Sequence, residues 1–217
     1  MAFKIEVWGD YACFTRPEMK VERVSYDVMT PSAARGLLEA IYWHPGMRWI
    51  IDKIHVLEPI RFAHIRRNEV KSKISARNVS TVASGGKADL QIITSDDIVQ
   101  RAAMVLRNVR YVIEAHFDLV PEKMKDGDNA GKFTDIIKRR LERGQCYHQP
   151  CFGTREFAAN FRAWSGETVP TAYDDERDLG FMLFDMDYSD TKNITPIFFR
   201  ARLERGVLNV TDCEVFR

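Results

Sequence analysis

The sequence predicts an α+β fold, on three observations. Residues 3–8 (FKIEVW) alternate apolar and polar side chains, the mark of a half-buried strand. Residues 30–44 have helical spacing, with Thr30 as an N-cap, Pro31 at the first helical position, and Leu37, Leu38 and Ile41 on one stripe. Residues 105–120 (VLRNVRYVIEAHFDLV) are β-branched and alternate at first, so they read as one long strand.

The remaining elements follow in order. The first helix must stop near His44, because Pro45 disfavours helical geometry in the residue before it. Residues 50–57 (IIDKIHVL) and 60–70 (IRFAHIRRNEV) read as two strands joined near Pro59. Residues 71–97 turn polar, rich in Ser, Gly and Ala with Gly85 and Gly86 at the middle, and read as a mobile loop. Residues 129–143 form a basic amphipathic helix whose stripe is Phe133, Ile136, Ile137 and Leu141. The order strand, helix, strand, strand, then a further strand and helix suggests a ferredoxin-like, split-βαβ domain. Beyond Gly144 the pattern changes to strands at 155–164, 179–188, 196–203 and 207–210, with a turn at Arg205-Gly206 and no further strong helix. A small antiparallel β domain is expected there, with the seam near residues 144–153.

At 217 residues the chain can form one large domain or two small ones. Its 45% hydrophobic and 29% charged content is ordinary for a soluble globular protein. No run approaches a membrane span, and the N-terminal stretch is a strand pattern rather than a signal peptide. Four cysteines in a chain of this length make no disulfide framework, so a cytoplasmic location is expected.

The net charge of +1 gives no global argument for nucleic acid, but the distribution is uneven. Arg61, Arg66, Arg67, Lys71, Lys73 and Arg77 stand against one acid, Glu69. A second basic cluster is Lys138, Arg139, Arg140 and Arg143, while acids gather at 174–190. Such runs can grip a phosphate backbone locally, and they can equally be solvated faces.

Two segments carry candidate chemistry. Tyr42, Trp43 and His44 crowd the end of the first helix, where the dipole favours a protonated imidazole. The same pattern also fits Tyr42 and Trp43 in the core with His44 in solvent. The seam RGQCYHQPCFGTR (143–155) offers Gly144 and Gly153 for close backbone approach to phosphate, and Arg143 and Arg155 for bidentate contacts. Cys146, His148 and Cys151 match no standard zinc spacing, so neither metal nor cofactor is expected. The phosphate loop GxxxxGK[ST], the GxGxxG fingerprint and HExxH are absent, which argues against nucleotide hydrolases, dinucleotide enzymes and zinc proteases.

Taken together, GDYACFTRPEMKVERVSYDVMTPSAARGLLEAIYWHP, the following IDKIHVLEPI, and RGQCYHQPCFGTREF resemble the CRISPR-associated Cas-five family of the RAMP superfamily, nearest to its type I-C subtype. The resemblance runs in order over nearly the whole chain. It implies an RRM-like, ferredoxin-like domain over residues 1–145 and a small antiparallel β domain over 146–217. It implies metal-independent cleavage of precursor CRISPR RNA in the repeat hairpin, with the enzyme staying on the guide's 5′ handle. CRISPR repeat RNA and the other subunits of a type I-C surveillance complex are the implied partners.

Carried over by position, Tyr42 in AIYWHP matches the family's catalytic tyrosine and His116 in EAHF its histidine. Some members place a lysine beside that histidine. Here Glu114 and Ala115 precede it and Phe117 follows, leaving His44, Lys123 or Arg110 as substitutes with nothing to choose among them. On the residues alone, His116 reads as a satisfied strand histidine and Tyr42 as a buried helix tyrosine. The expected RNA-binding residues are Arg35, His44, Arg66, Arg67, Lys138, Arg139, Arg140, Arg143, Gly144, Gly153 and Arg155. The alternative is a non-catalytic subunit that grips the guide handle, or a module that binds duplex DNA.

Overall fold

Short-range rules start the fold. In the computed structural model, described for residues 2–19, 21–211 and 213–217, the first strand β1 (Phe3–Ala12) alternates as its sequence requires, with Ile5 and Val7 inside. A two-residue strand β2 (Arg23–Val24) follows, and then α1 (Pro31–Ile41). Thr30 caps α1 by accepting from the Ala33 N–H at 3.2 Å. The helix ends at Ile41, earlier than Pro45 alone demands. Tyr42 turns extended (φ −150°), and its carbonyl accepts from the Trp49 indole N–H at 2.9 Å. A tertiary hydrogen bond, not the proline, sets this boundary.

The chain continues through β3 (Met47–Val56), β4 (Phe62–Val70), α2 (Ala76–Ala83), β5 (Ile98–Leu119), α3 (Ala130–Arg143), β6 (Asn160–Ala163), β7 (Glu176–Asp187), β8 (Thr195–Glu204), β9 (Val207–Asn209) and β10 (Val215–Phe216). It divides into two compact units, Met1–Ala63 with Met104–Arg217, and His64–Ala103.

In the first unit the sheet path is β10-β8-β9-β3-β5-β1-β6, with β7 on β8, and these strands pair antiparallel. β6 pairs with β1, and β9 pairs with β3, so strands from both sides of residue 145 share one sheet. The expected boundary at 145/146 falls inside this unit. Arg205 and Gly206 both take positive φ between β8 and β9, the backbone that a tight hairpin of twisted strands needs. A bulge between Ile51 and Lys53 bends β3 where it lies on β5.

The core lies on the sheet face covered by the helices. Phe3, Trp49 and Phe117 form edge and stacked ring contacts, and Phe133 of α3 completes the cluster against Phe117. Leu37, Leu38 and Ile41 of α1 and Ile137 and Leu141 of α3 are buried with them, as their spacing predicts.

In the second unit, β4 pairs with the start of β5. The Lys71 N–H donates to the Asp97 carbonyl at 2.9 Å, and Arg101 pairs with Glu69 at 3.3 Å. The expected loop over 71–97 is corrected: the segment contains α2, capped by Ser75, and none of the helix's residues is buried. Its Ser, Thr and Asn content disguises a helix that is amphipathic but packs on nothing deep.

Candidate functional site

Tyr42 sits at the point where α1 and α3 meet. Its ring lies 6.3 Å from that of Phe133, and the Arg140 guanidinium stands over it at 5.0 Å. Arg140 also donates to the carbonyl of Ile41, which fastens the end of α3 to the end of α1. Burial raises the phenol above its ordinary value, and the positive fields of Arg140 and Lys132 only partly oppose that. Tyr42 is therefore a neutral phenol at physiological pH, a hydrogen-bond donor rather than a base.

Three further side chains gather here. Asp128, 3% exposed, accepts from Lys132 Nζ at 2.9 Å and from the Lys125 N–H at 2.9 Å. These bonds hold its carboxyl below the usual range and push the Lys132 ammonium up. His44 Nε2 lies 3.5 Å from Asp128, its ring packs 4.9 Å from Phe133, and its Nδ1 accepts from the Gly46 N–H at 3.0 Å. Accepting at Nδ1 assigns the ring the tautomer with its proton on Nε2, directed to the carboxylate. An ammonium and an imidazole thus flank one nearly buried acid, and the fields of Lys132 and Asp128 reach the Tyr42 phenol. That set can hold a phosphate and stabilise charge that develops on it.

His116 belongs to a different place. Its Nδ1 bonds Asp52 at 2.9 Å, and its Nε2 is 3.9 Å from Asp118, which also faces Arg48 at 3.8 Å. Phe117 beside it points to the helix-covered core, so strand alternation puts His116 on the other face of β5. His116 also lines a cavity of about 410 Å³ that takes in Arg35 of α1 and Arg48, Trp49, Asp52 and Phe184. No hydrogen bond, ion pair or ring contact joins it to Tyr42 among the described residues.

The structure also separates the cations offered as substitutes for the missing lysine. Arg110 is held by Glu6 on the helix-free face, and Lys123 is exposed on a 3-10 turn. His44 is in the Tyr42 cluster. Arg140 stands over the phenol ring, and Lys132, a residue of the basic helix, is a second cation whose field reaches it. One local signal pointed to Lys132: it stands in the first turn of α3, where the helix dipole disfavours a cation.

The expected RNA-binding residues divide. Lys138, Arg139 and Arg143 are exposed on α3, and Arg155 is exposed beyond it. Arg35 makes a bidentate pair with Asp185 that ties α1 to β7. Arg140 is committed to Ile41 and Tyr42. Arg66 is exposed and Arg67 half-buried on β4, in the second unit. Both glycines have structural duties. Gly144 is the left-handed cap of α3, and a Cβ on Gly153 would lie 2.0 Å from the Cys13 carbonyl. Among the described residues no group of three or more His, Cys, Asp or Glu side chains is arranged to hold a metal ion, and no helix is long and apolar enough to cross a membrane.

With this geometry in place, comparison with known proteins places the chain. A family profile described as CRISPR-associated protein (Cas_Cas5) matches residues 2–211. The CRISPR pre-crRNA endoribonuclease Cas5d of Mannheimia succiniciproducens is 51% identical over 213 residues, which cover 95% of this chain and 93% of that protein. The protein of the same name from Thermus thermophilus is 38% identical over 224 residues, covering 95% and 90%. A solved structure described as a CRISPR-associated protein aligns with a TM-score of 0.70 at 23% identity, over 100% of this chain and 97% of its own. A chain of a CRISPR RNA-guided surveillance complex aligns with a TM-score of 0.53 at 14% identity, over 100% and 89%. At those identities the two structures speak for the fold. The profile match and the 51% identity together make this chain a member of the CRISPR-associated Cas5 family.

Proposed function

We propose that the chain is a metal-independent endoribonuclease that cuts precursor CRISPR RNA in the repeat hairpin and stays on the guide's 5′ handle as a subunit of a surveillance complex. The observation that carries the reading is the cluster of Tyr42, Lys132, Asp128 and His44, in a chain 51% identical to a protein named for this activity. We read the core as ferredoxin-like, which fits this activity. The strand order β3-β5-β1-β6, with α1 between β1 and β3 and α3 between β5 and β6, supports that reading.

In this reaction the ribose 2′-oxygen attacks its own phosphate and the bond to the 5′-oxygen breaks, leaving a 2′,3′-cyclic phosphate and a 5′-hydroxyl. Negative charge grows on the phosphoryl oxygens in the transition state. The Lys132 ammonium, presented by Asp128, balances that charge, and the neutral Tyr42 phenol donates a hydrogen bond to it. We assign His116, whose Nδ1 bonds Asp52, no step at this centre.

Incubating the protein with its repeat hairpin in excess EDTA tests the reading. Single-site cleavage with those two product ends is expected, and a single 2′-deoxy sugar at the cut abolishes cleavage without loss of binding. A shifted but intact RNA would instead make the chain a handle-binding subunit.

A further inference from the structure

Two large aromatic side chains stand in solvent just beyond the C-terminal ends of α1 and α3. Trp43, the residue after Tyr42, is 58% exposed, and Tyr147 is 81% exposed. Their backbone is fixed. Tyr42 is still bonded to Leu38 through its N–H, and His44 is locked by Gly46 and Asp128, so Trp43 is held between two anchored neighbours. The Tyr147 and His148 N–H groups both donate to the Ala40 carbonyl, at 2.9 and 3.3 Å, which pins the segment after α3 to the last turn of α1. Exposed single aromatics are common, but these two leave the ends of the two helices that build the Tyr42 cluster. Both helix ends are joined by Arg140, and α3 supplies Lys138, Arg139 and Arg143 within nine residues of Tyr147.

We propose that Trp43 and Tyr147, beyond the C-terminal ends of α1 and α3, are stacking platforms for unpaired nucleotides of the RNA. This rests on the reading of Tyr42 and Lys132 as the cleavage centre. An aromatic face binds any base that is out of a duplex, and nearby cations track the backbone. Rigid backbone lets the rings bind without first being ordered, so little affinity is lost to entropy. Duplex RNA offers no free base faces to these rings, so the unpaired nucleotides flanking the hairpin are the ligand.

The test compares the wild type with Trp43→Ala, Tyr147→Ala and the rescuing pair Trp43→Phe and Tyr147→Phe, each checked for folding by circular dichroism. Two probes are used, the repeat hairpin with its single-stranded flanks and the same hairpin trimmed of them. Each alanine variant should bind the flanked RNA about 5-fold to about 100-fold more weakly. The slope of affinity against salt should not change, because every phosphate stays neutralised by the same cations. The phenylalanine variants should recover most of the affinity, and on the trimmed hairpin all variants should match the wild type. Unchanged affinity in both alanine variants, or an equal loss on the trimmed hairpin, would overturn this proposal while leaving the cleavage centre standing. A wild type that binds neither RNA would overturn both.

Discussion

Lys132 donates to Asp128 across the N-cap of α3, at 2.9 Å, from a helix position that the dipole disfavours for a cation. Asp128 is nearly buried and Lys132 half-exposed, so the acid works as a fixed seat and the ammonium as its exposed face. A half-exposed lysine at such a position is expected to meet an anion.

Lys132→Ala should slow repeat cleavage by about 10²–10³-fold, the usual loss when one charge-stabilising group is removed. Tyr42→Phe should slow it by about 10²-fold, near the lower end for a positioned proton donor, while keeping the ring packed on Phe133. His116→Ala should cleave within a few-fold of the wild type. Single-turnover rates on saturating RNA measure all three, and loss of activity only in the His116 variant would move the centre to the Asp52 cavity.

The exposed cations of α3 should act through the phosphate backbone. Replacing Lys138, Arg139 and Arg143 together by alanine should weaken RNA binding at low salt. The slope of log affinity against log salt should fall by about 0.7 for each single-strand phosphate that is no longer neutralised. Titrations at several salt concentrations measure this, and an unchanged slope would make these side chains a solvated helix face.

The helix-free face carries a pH-dependent element. Glu6, 1% exposed, is bonded by both Arg110 and Arg162. Burial pushes its carboxyl up, but the two guanidiniums outweigh that and leave it below its ordinary 4.5. The unfolded chain therefore takes up this proton more readily. The stabilisation is complete above about pH 4.5 and is lost as pH falls through the lower folded value. Glu6→Gln should cost about 1–3 kcal/mol at neutral pH, an effect held down by the partial exposure of both arginines, and should flatten the acid limb of stability. Urea melts across that range would show it.

Gly153→Ala should destabilise by more than about 1 kcal/mol, because the position has φ +82° and no room beside the Cys13 carbonyl. A fall in Tm with cleavage per folded molecule intact is the expected result; a stable variant that has lost RNA binding would make Gly153 a phosphate contact instead.

Much of this protein is legible one segment at a time. The alternation of β1, the Thr30 cap with Pro31, the stripe of α3 and the Arg205-Gly206 turn are properties of short stretches, and each forms where its sequence says. Tyr42 is found at a helix end for the same reason. Even the direction of His116 was latent in its neighbour: Phe117 belongs in the core, so a histidine beside it on a strand must face away.

What the tertiary structure decided depends on partners far apart in the chain. Joining residues 160–163 to β1 and 207–209 to β3 makes one sheet out of what reads as two domains, because strand pairing is set by long-range packing that no local pattern records. Lys132 comes to Tyr42 across about ninety residues only because Phe133 seats α3 against Phe117 and the end of α1. Periodicity states which face of an element is apolar. It does not state which other element will cover that face, and that choice brought Arg140 and Lys132 of α3 to the phenol.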